Sequence, residues 1–246
     1  MLTNMLRTKK LFIFDMDGTL IESLGVWGSA EVEFIYQVSG IKVDKKEIAD
    51  FRDQFLGSCI SSDPYYSWVA YLKECYHMPG EVDDLAEYRK SICFKILEET
   101  VSLKPFAKEL LTLLKENGYL VSLASAGALE SLNRVLYKIP ATEFLGNDVF
   151  DLIMSSSSVE KLKPAPDIHL KTLEYFNLKR EDAVIFEDSL VGLMAAQNAG
   201  IDSIIVKEPL NKECRKVKDM ATYYVNSLEE VYNSLLEIVQ KRPKIR

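Results

Sequence analysis

Residues 11–19 read LFIFDMDGT. The first four are continuously apolar rather than alternating, which is typical of a strand buried on both faces in a parallel sheet. Asp15 and Asp17 follow at the end of this strand, and Gly18 allows the backbone to turn sharply there. The stretch therefore predicts a strand that delivers two carboxylates to the carboxyl edge of a parallel sheet.

Similar apolar runs recur further along the chain. Each is short, ends in small or polar residues and is followed by a helical pattern; they cover residues 119–124, 183–186 and 203–206. Helices are predicted between and after them, at 106–116, 168–176, 190–198 and 228–239. This repeated order of strand and helix favours right-handed crossovers and a doubly wound, Rossmann-like parallel α/β sheet.

The region from about residue 23 to residue 101 breaks that rhythm. It holds aromatic-rich helical patterns at 32–36, 65–76 and 85–97 and no clear buried strand. The simplest interpretation is an all-helical cap domain, 23–100, inserted into a core domain formed by 1–22 plus 101–246. We expect such an insertion to hang over the carboxyl edge of the sheet, where open α/β sheets bind their ligands.

Composition narrows the classes of function. The chain has 246 residues, a net charge of −7 and 48% hydrophobic residues, as in ordinary soluble globular proteins. The negative charge argues against a nucleic-acid partner, two histidines are too few for a histidine-rich zinc site, and no apolar stretch suits a membrane span. Four scattered cysteines indicate reduced thiols. We expect a cytoplasmic monomer whose basic tail, 241–246, is solvated.

The two aspartates predict a division of labour. One carboxylate of Asp15 and Asp17 can act as nucleophile and the other as general acid and base, when their environments separate their pKa values. Glu187 and Asp188 follow the strand 183–186 and emerge at the same edge if the two strands are neighbours. Converging carboxylates repel one another unless a cation lies between them. A hard divalent cation with oxygen ligands resolves the repulsion, which predicts Mg²⁺.

Two weaker signals concern anion binding. Ser125 follows the strand 119–124 and precedes a helix, so its hydroxyl group and nearby backbone N–H groups can hold an anion. Lys163 precedes the helix 168–176 in the sequence KPAPD, where prolines stiffen the backbone. Taken alone, each residue is better explained as a helix-start serine or a surface lysine.

In this order, the four segments resemble the haloacid dehalogenase superfamily, most of all its branch with β-phosphoglucomutase and phosphoglycolate-type phosphatases. The resemblance covers nearly the whole chain, including a helical cap. It implies that Asp15 is the nucleophile and accepts the phosphoryl group as an aspartyl phosphate. It also implies that Asp17 protonates the leaving alcohol and then deprotonates the attacking water.

The same resemblance implies the remaining site residues. Mg²⁺ would be held by Asp15, the backbone carbonyl group of Asp17, and Asp188, with Glu187 in or beside the coordination shell. Phosphate oxygens would contact Ser125, Ala126 and Lys163. Local positive charge is needed because an anionic nucleophile must approach an anionic phosphate in a chain of charge −7. The implied function is a Mg²⁺-dependent phosphohydrolase acting on a small phosphorylated metabolite.

Departures from the family pattern bear on the alternatives. The dehalogenases of the superfamily lack an acid matching Asp17, which argues against that activity. The main alternative, a phosphosugar mutase, is disfavoured because Trp27 stands where that branch carries a histidine, and its cap arginine falls near Cys59-Ile60-Ser61. The second alternative is a catalytically silent protein that senses phosphate or binds a partner, and the paired acids argue against it.

Overall fold

The computed structural model describes residues 2–59, 64–146, 148–211 and 214–241. The chain divides into two compact units. One combines the residues up to Glu22 with those from Ser102 onward, and the other is Ser23–Val101. The assignment of 1–22 plus 101–246 as a catalytic core and 23–100 as a cap stays a prediction.

The larger unit is built, in the part of the chain that the structure describes, on one six-stranded sheet. Its strands are β1 (Leu11–Phe14), β2 (Leu120–Ala124), β3 (Leu152–Met154), β4 (Ala183–Glu187), β5 (Asp202–Val206) and β6 (Tyr223–Val225). All pairings are parallel, in the order β3-β2-β1-β4-β5-β6. The predicted doubly wound parallel α/β sheet is confirmed, and β1 lies inside it with every residue buried.

Helices connect the strands and also build the smaller unit. Numbered along the chain, they are α1 (Leu2–Leu6), α2 (Leu24–Ser39), α3 (Lys45–Ser58), α4 (Pro64–Tyr76), α5 (Val82–Thr100), α6 (Ala107–Glu116), α7 (Leu129–Tyr137), α8 (Asp167–Phe176), α9 (Leu190–Ala199), α10 (Cys214–Met220) and α11 (Leu228–Gln240). Helices α2 to α5 form the smaller unit. The strands and helices predicted with bounds in the larger unit differ from the observed ones by at most one residue, at one end.

The register of the sheet brings three strand ends to one level. Phe14 pairs with Leu123 on β2 and with Phe186 on β4. The rings of Phe14 and Phe186 stack with their centroids 4.3 Å apart. Because the strands are parallel, the residues that follow them emerge together at the carboxyl edge, where ligands bind in sheets of this kind.

Two strands, β3 and β6, and three helices, α1, α3 and α10, were not expected from the sequence. Strands β3 and β6 have three residues each and most of their side chains are only half-buried, so they lack a long apolar run. Helix α3 is rich in charged residues; its start is fixed by Asp44, whose side chain accepts the N–H groups of Lys46 and Glu47. Residues Ser156–Ser158 form a short 3₁₀ turn.

The smaller unit has an aromatic core. Trp68 is fully buried, and the rings of Phe51, Phe55 and Tyr71 lie with centroids 5.3 to 5.9 Å from it. A buried ion pair between Glu31 and Arg89 joins α2 to α5. The aromatic residues around Trp68 therefore pack the helices together.

The structure also bears on the expectations about membrane spans and cysteines. None of the described helices is both long and apolar enough to cross a membrane. Cys59, Cys75 and Cys93 are free thiols. Ile60, Ser61 and the tail at 242–246 lie outside the described residues, so the expectations that concern them stay predictions.

Candidate active site

The loop after β1 is a tight turn that fixes Asp15. The N–H group of Ile21 donates to the carbonyl oxygen of Met16 at 3.1 Å, and Gly18 donates to the carbonyl oxygen of Ile21 at 3.0 Å. Gly18 has φ 77°, in the left-handed region that favours glycine. The N–H group of Asp15 donates to the carbonyl oxygen of Phe186 at 2.9 Å, so the carboxylate starts from a backbone held by two strands.

Strand β4 brings two further acids to the same place. Glu187 ends β4 and Asp188 follows it; both are buried, as is Asp15. A Cβ atom at Gly18 would overlap the carboxylate of Asp188. Glycine is therefore required at this position twice over, by its positive φ and by the close approach of the two loops. Asp17 lies close enough for its charge to act on Asp15.

Lys163 joins these acids. Its ammonium group donates to Asp15 Oδ1 at 2.8 Å, to Glu187 Oε1 at 2.5 Å and to the carbonyl oxygen of Ala124 at 2.9 Å. The side chain is only 4% exposed. Three acceptors match the three N–H bonds of an ammonium group. Lys163 is thus a buried bridge between β1, β2 and β4, and the interpretation as a surface lysine is wrong.

The second oxygen of Glu187 is held by the start of α9. Ser189 Oγ donates to Glu187 Oε2 at 3.1 Å and accepts the N–H group of Gly192 at 3.0 Å, which makes Ser189 the N-cap of the helix. A Cβ atom at Gly192 would overlap the Glu187 carboxyl group. The helix start therefore presses against Glu187 and fixes its orientation.

Burial dominates the electrostatics of the cluster. It raises the pKa of Asp15 to about 8, since the attraction of Lys163 is offset by repulsion from Glu187 and Asp17. Burial, with repulsion from Glu187 and Asp15, also raises the pKa of Asp188 well above its usual range. Burial opposes the charge on Lys163, but the two acids it bridges outweigh that effect and raise its pKa. One lysine does not compensate the carboxylates around it.

The cluster has the donors of a divalent-cation site. Asp15, Glu187 and Asp188 each offer a carboxylate oxygen, and these atoms lie within 4.8 Å of one another. Hard cations such as Mg²⁺ prefer oxygen ligands, and the uncompensated negative charge favours one. These residues therefore fit the predicted metal. Glu187 is the least available ligand, because Lys163 and Ser189 already occupy its two oxygens.

Ser125 lies at the end of β2, beside the acids of β1. Its N–H group donates to the carbonyl oxygen of Met154 at 3.0 Å, and its hydroxyl oxygen accepts the N–H group of Gly127 at 3.0 Å. Ser125 precedes α7, as expected, but the interpretation as a helix-start serine is wrong, since α7 begins at Leu129, after an intervening loop. Ala126 is exposed in that loop. The role of both residues in binding phosphate stays a prediction.

The sequence reasoning missed a second buried pair next to Asp188. Lys104 and Glu208 form an ion pair in the core of the larger unit. Glu208 comes two residues after β5, so an acid shortly after a buried strand was the signal that pointed to it. Asn211, from the same segment, donates its side-chain N–H to the carbonyl oxygen of Asp188 at 2.7 Å.

Comparison with known proteins gives the class to which this fold and site belong. The chain is a member of the haloacid dehalogenase-like hydrolases, since the model of that family matches residues 12–206. The resemblance drawn from the sequence motifs is confirmed.

Particular relatives are phosphatases. Hexitol phosphatase B of Escherichia coli strain K12 is 30% identical over 198 residues, which cover 80% of this chain and 83% of that protein. The phosphorylated carbohydrates phosphatase of Thermotoga maritima is 27% identical over 229 residues, or 92% of this chain and 98% of the relative. CbbY from Rhodobacter sphaeroides, in its crystal structure in complex with phosphate, superposes with a TM-score of 0.66 over 91% of this chain and 96% of that one. The two sequences are 25% identical.

Proposed function

We propose that this protein is a Mg²⁺-dependent phosphatase of small phosphomonoesters, with sugar and polyol phosphates as its substrate class. One observation carries the proposal. Asp15 is buried at the end of β1, bonded to Lys163, and shares a cluster of carboxylate oxygens with Glu187 and Asp188. An arrangement that concentrates negative charge around a carboxylate suits a reaction in which a cation and a phosphoryl group both meet that carboxylate.

The chemistry follows from the two aspartates. An oxygen of Asp15 attacks the phosphorus atom, the bond to the alcohol oxygen breaks, and Asp17 donates a proton to that oxygen as it leaves. Asp17, now a carboxylate, takes a proton from water, whose oxygen attacks the aspartyl phosphate. Inorganic phosphate leaves, Asp15 is regenerated and Asp17 is again protonated.

The other residues orient Asp15 and neutralise the negative charge of the site and of the phosphate. Mg²⁺, held by Asp15, the carbonyl oxygen of Asp17, and Asp188, would supply the positive charge that lets two anions approach. Lys163 keeps Asp15 in one orientation through its bond at 2.8 Å. The loop that begins at Ser125 would offer N–H groups to the phosphate oxygens, the Ala126 N–H group among them.

The substrate class comes from the relatives. By their names, the two phosphatases act on hexitol phosphates and on phosphorylated carbohydrates, and the crystal structure of CbbY contains phosphate. In this proposal, the helical domain at 23–100 acts as the cap that selects the alcohol and excludes water during turnover. The protein would work in the cytoplasm as a monomer.

The proposal is tested by a phosphate-release screen on purified protein. The panel contains sorbitol 6-phosphate, mannitol 1-phosphate, hexose phosphates, phosphoglycolate and nucleotides, each with Mg²⁺ and with excess chelator. We expect turnover of hexitol or hexose phosphates with Mg²⁺ and none with chelator. The absence of turnover on every substrate would support the silent binding protein instead.

The Asp15→Asn variant separates this mechanism from others. It removes the nucleophile while keeping the shape of the side chain, so turnover should fall at least about 10³-fold with the fold unchanged by circular dichroism. Asp182→Asn, at the opposite edge of the sheet, is the matched control and should keep its activity. To test the mutase alternative, β-glucose 1-phosphate is supplied with a bisphosphate activator; formation of the 6-phosphate in place of free phosphate would establish the mutase.

A further inference from the structure

The segment that follows β5 is fastened to the metal-site acid Asp188. Asn211 donates its side-chain N–H to the carbonyl oxygen of Asp188 at 2.7 Å. Its own N–H group donates to the carbonyl oxygen of Glu208 at 3.1 Å, and Glu208 Oε1 accepts the N–H group of Leu210 at 3.0 Å. Glu208 therefore lies within a short, hydrogen-bonded turn that grips the backbone of Asp188.

Lys104 connects this turn to the loop after β1. Its ammonium group forms the ion pair with Glu208, and its backbone N–H group donates to the carbonyl oxygen of Leu20 at 2.8 Å. Ile21, the next residue, pairs with both Asp17 and Leu103. A continuous set of contacts therefore runs from the loop that carries Asp17, through Lys104 and Glu208, to Asp188.

The Lys104–Glu208 ion pair is buried, and burying its two charges costs free energy. The side chains of Lys104 and Glu208 are 9% and 7% exposed. Desolvating both charges is expensive, and apolar residues of similar volume often do as well or better in such positions, so stability alone gives little reason for the pair. The pair is tied to the site instead, because the turn that contains Glu208 holds the backbone of Asp188 through Asn211.

We propose that the Lys104–Glu208 ion pair is a positioning device for Asp188 that also sets the charge at the divalent-cation site. Glu208 holds the turn against Asp188 and adds a negative charge beside it, while Lys104 limits that charge and ties the turn to the loop of Asp17. The inference rests on the divalent cation of the proposed function. It assigns two residues that the family's motif positions do not include.

The amino edge of the same sheet offers a matched control. Lys9 pairs with Asp202 at 2.6 Å, and its side chain is 2% exposed. It also donates to the carbonyl oxygen of Glu181 at 2.9 Å. This pair joins the beginnings of β1 and β5, whereas the Lys104–Glu208 pair joins the segment before α6 to the segment after β5. Lys9→Met therefore removes a buried lysine from the same unit without touching the carboxyl edge.

The experiment measures cation binding without turnover. Metal-free wild type and the variants Glu208→Gln, Lys104→Met, Lys104→Met/Glu208→Gln and Lys9→Met are titrated with Mn²⁺ by electron paramagnetic resonance, and Mg²⁺ is added as competitor. Circular dichroism checks the fold of each. Lys104→Arg keeps the charge and is the conservative control; if Lys104→Met does not fold, the weakening expected of Glu208→Gln relative to Lys9→Met carries the test.

The expected shifts have opposite signs. Glu208→Gln leaves the Lys104 charge uncompensated and should weaken cation binding about tenfold, whereas Lys104→Met leaves the Glu208 charge and should strengthen it by about the same factor. The double variant should return to within about threefold of wild type, and Lys104→Arg and Lys9→Met should match wild type. A purely structural pair would instead weaken binding in both single variants.

Several outcomes would overturn the inference. Shifts of the same sign in Glu208→Gln and Lys104→Met, or shifts no larger than that of Lys9→Met, would show that the pair does not set the charge of the site. If wild type itself binds neither Mn²⁺ nor Mg²⁺, the cation of the proposed function falls, and this inference with it. Binding by wild type with unshifted variants refutes the inference alone.

Discussion

The two edges of the core sheet carry lysine–carboxylate pairs of different character. At the amino edge, Lys9 pairs with Asp202 at 2.6 Å and Lys10 with Asp182 at 2.9 Å, so each acid has its own lysine. At the carboxyl edge, Lys163 is shared by two buried carboxylates, and Asp188 lies beside them. The amino edge is balanced, whereas the carboxyl edge keeps surplus negative charge. A fold retains such an imbalance where a ligand supplies the missing charge.

The largest expected effect is that of removing the shared lysine. Lys163→Met should destabilise the protein by about 3–5 kcal/mol at neutral pH, because it leaves buried carboxylates without their cation. Lys9→Met should cost only about 1 kcal/mol, since Asp202 is 43% exposed and water replaces the lysine. Urea unfolding without added metal measures both. Equal losses in the two variants would contradict the contrast between the edges.

Helix α9 runs between the two edges and carries a glycine near each end. Gly192→Ala should improve helix propensity, yet we expect a loss of about 2 kcal/mol and about 100-fold in turnover, because the methyl group displaces Glu187 from Lys163. Gly200, at the amino edge, has φ 68°, so Gly200→Ala should cost about 1 kcal/mol of strain and leave turnover intact. Urea denaturation measures the stability of both variants, and steady-state kinetics measures their turnover. Normal turnover in Gly192→Ala would contradict the argument that the added methyl group displaces Glu187.

The edges should respond to pH with opposite signs. Asp15 has its pKa raised by burial to about 8, so the folded protein holds that proton more tightly than the unfolded chain and loses stability as pH rises from about 4 to 8. The hydrogen bond from Lys10, with one from the backbone of Lys179, lowers the pKa of Asp182, so its contribution disappears as pH falls.

The test of this pH dependence is unfolding of the metal-free protein between pH 4 and pH 8. Asp15→Asn should reduce the loss of stability as pH rises, and Asp182→Asn should reduce the loss of stability as pH falls. Added Mg²⁺ should stabilise wild type most at the alkaline end, because it competes with the proton of Asp15. An alkaline decline that persists unchanged in Asp15→Asn would show that another group causes it.

The smallest expected effect concerns His169 on α8. Its imidazole ring is buried, neither ring nitrogen has a hydrogen-bond partner among the described residues, and burial with repulsion from Lys163 lowers its pKa. A lowered pKa means that stability is lost as pH falls below about 6.5, the value in the unfolded chain. His169→Phe should therefore gain about 1 kcal/mol at pH 5.5 relative to its effect at pH 8. A gain that does not change with pH would assign the effect to packing.

Most of the architecture could be predicted because it follows from local patterns. The unbroken apolar runs of β1, β4 and β5 require burial on both faces, and alternation with helices then gives a parallel sheet. Strands β3 and β6 could not be predicted, since three half-buried residues carry no pattern. Helix α3 was missed because its polar sequence depends on packing within the helical unit.

The candidate site also has residues whose positions could be predicted from the sequence and residues whose positions could not. The acids of residues 15–17 and 187–188 stand directly behind predicted strands, so their convergence followed from neighbouring parallel strands. Lys163 looked like a surface residue because nothing in its local sequence shows that the chain returns to β1 there. Glu208 stands two residues behind its strand and has no second acid beside it, unlike the acids that were noticed.

By itself, the sequence determined the parallel sheet, the family and the order of acids along its carboxyl edge, because burial and strand polarity are local consequences of residue type. Only the tertiary structure decided how charge is shared at that edge. Lys163 meets Asp15 and Glu187 across 148 and 24 residues of chain, and Lys104 meets Glu208 across 104. Electrostatic energy depends on distance and burial in space, and neither can be read along the chain.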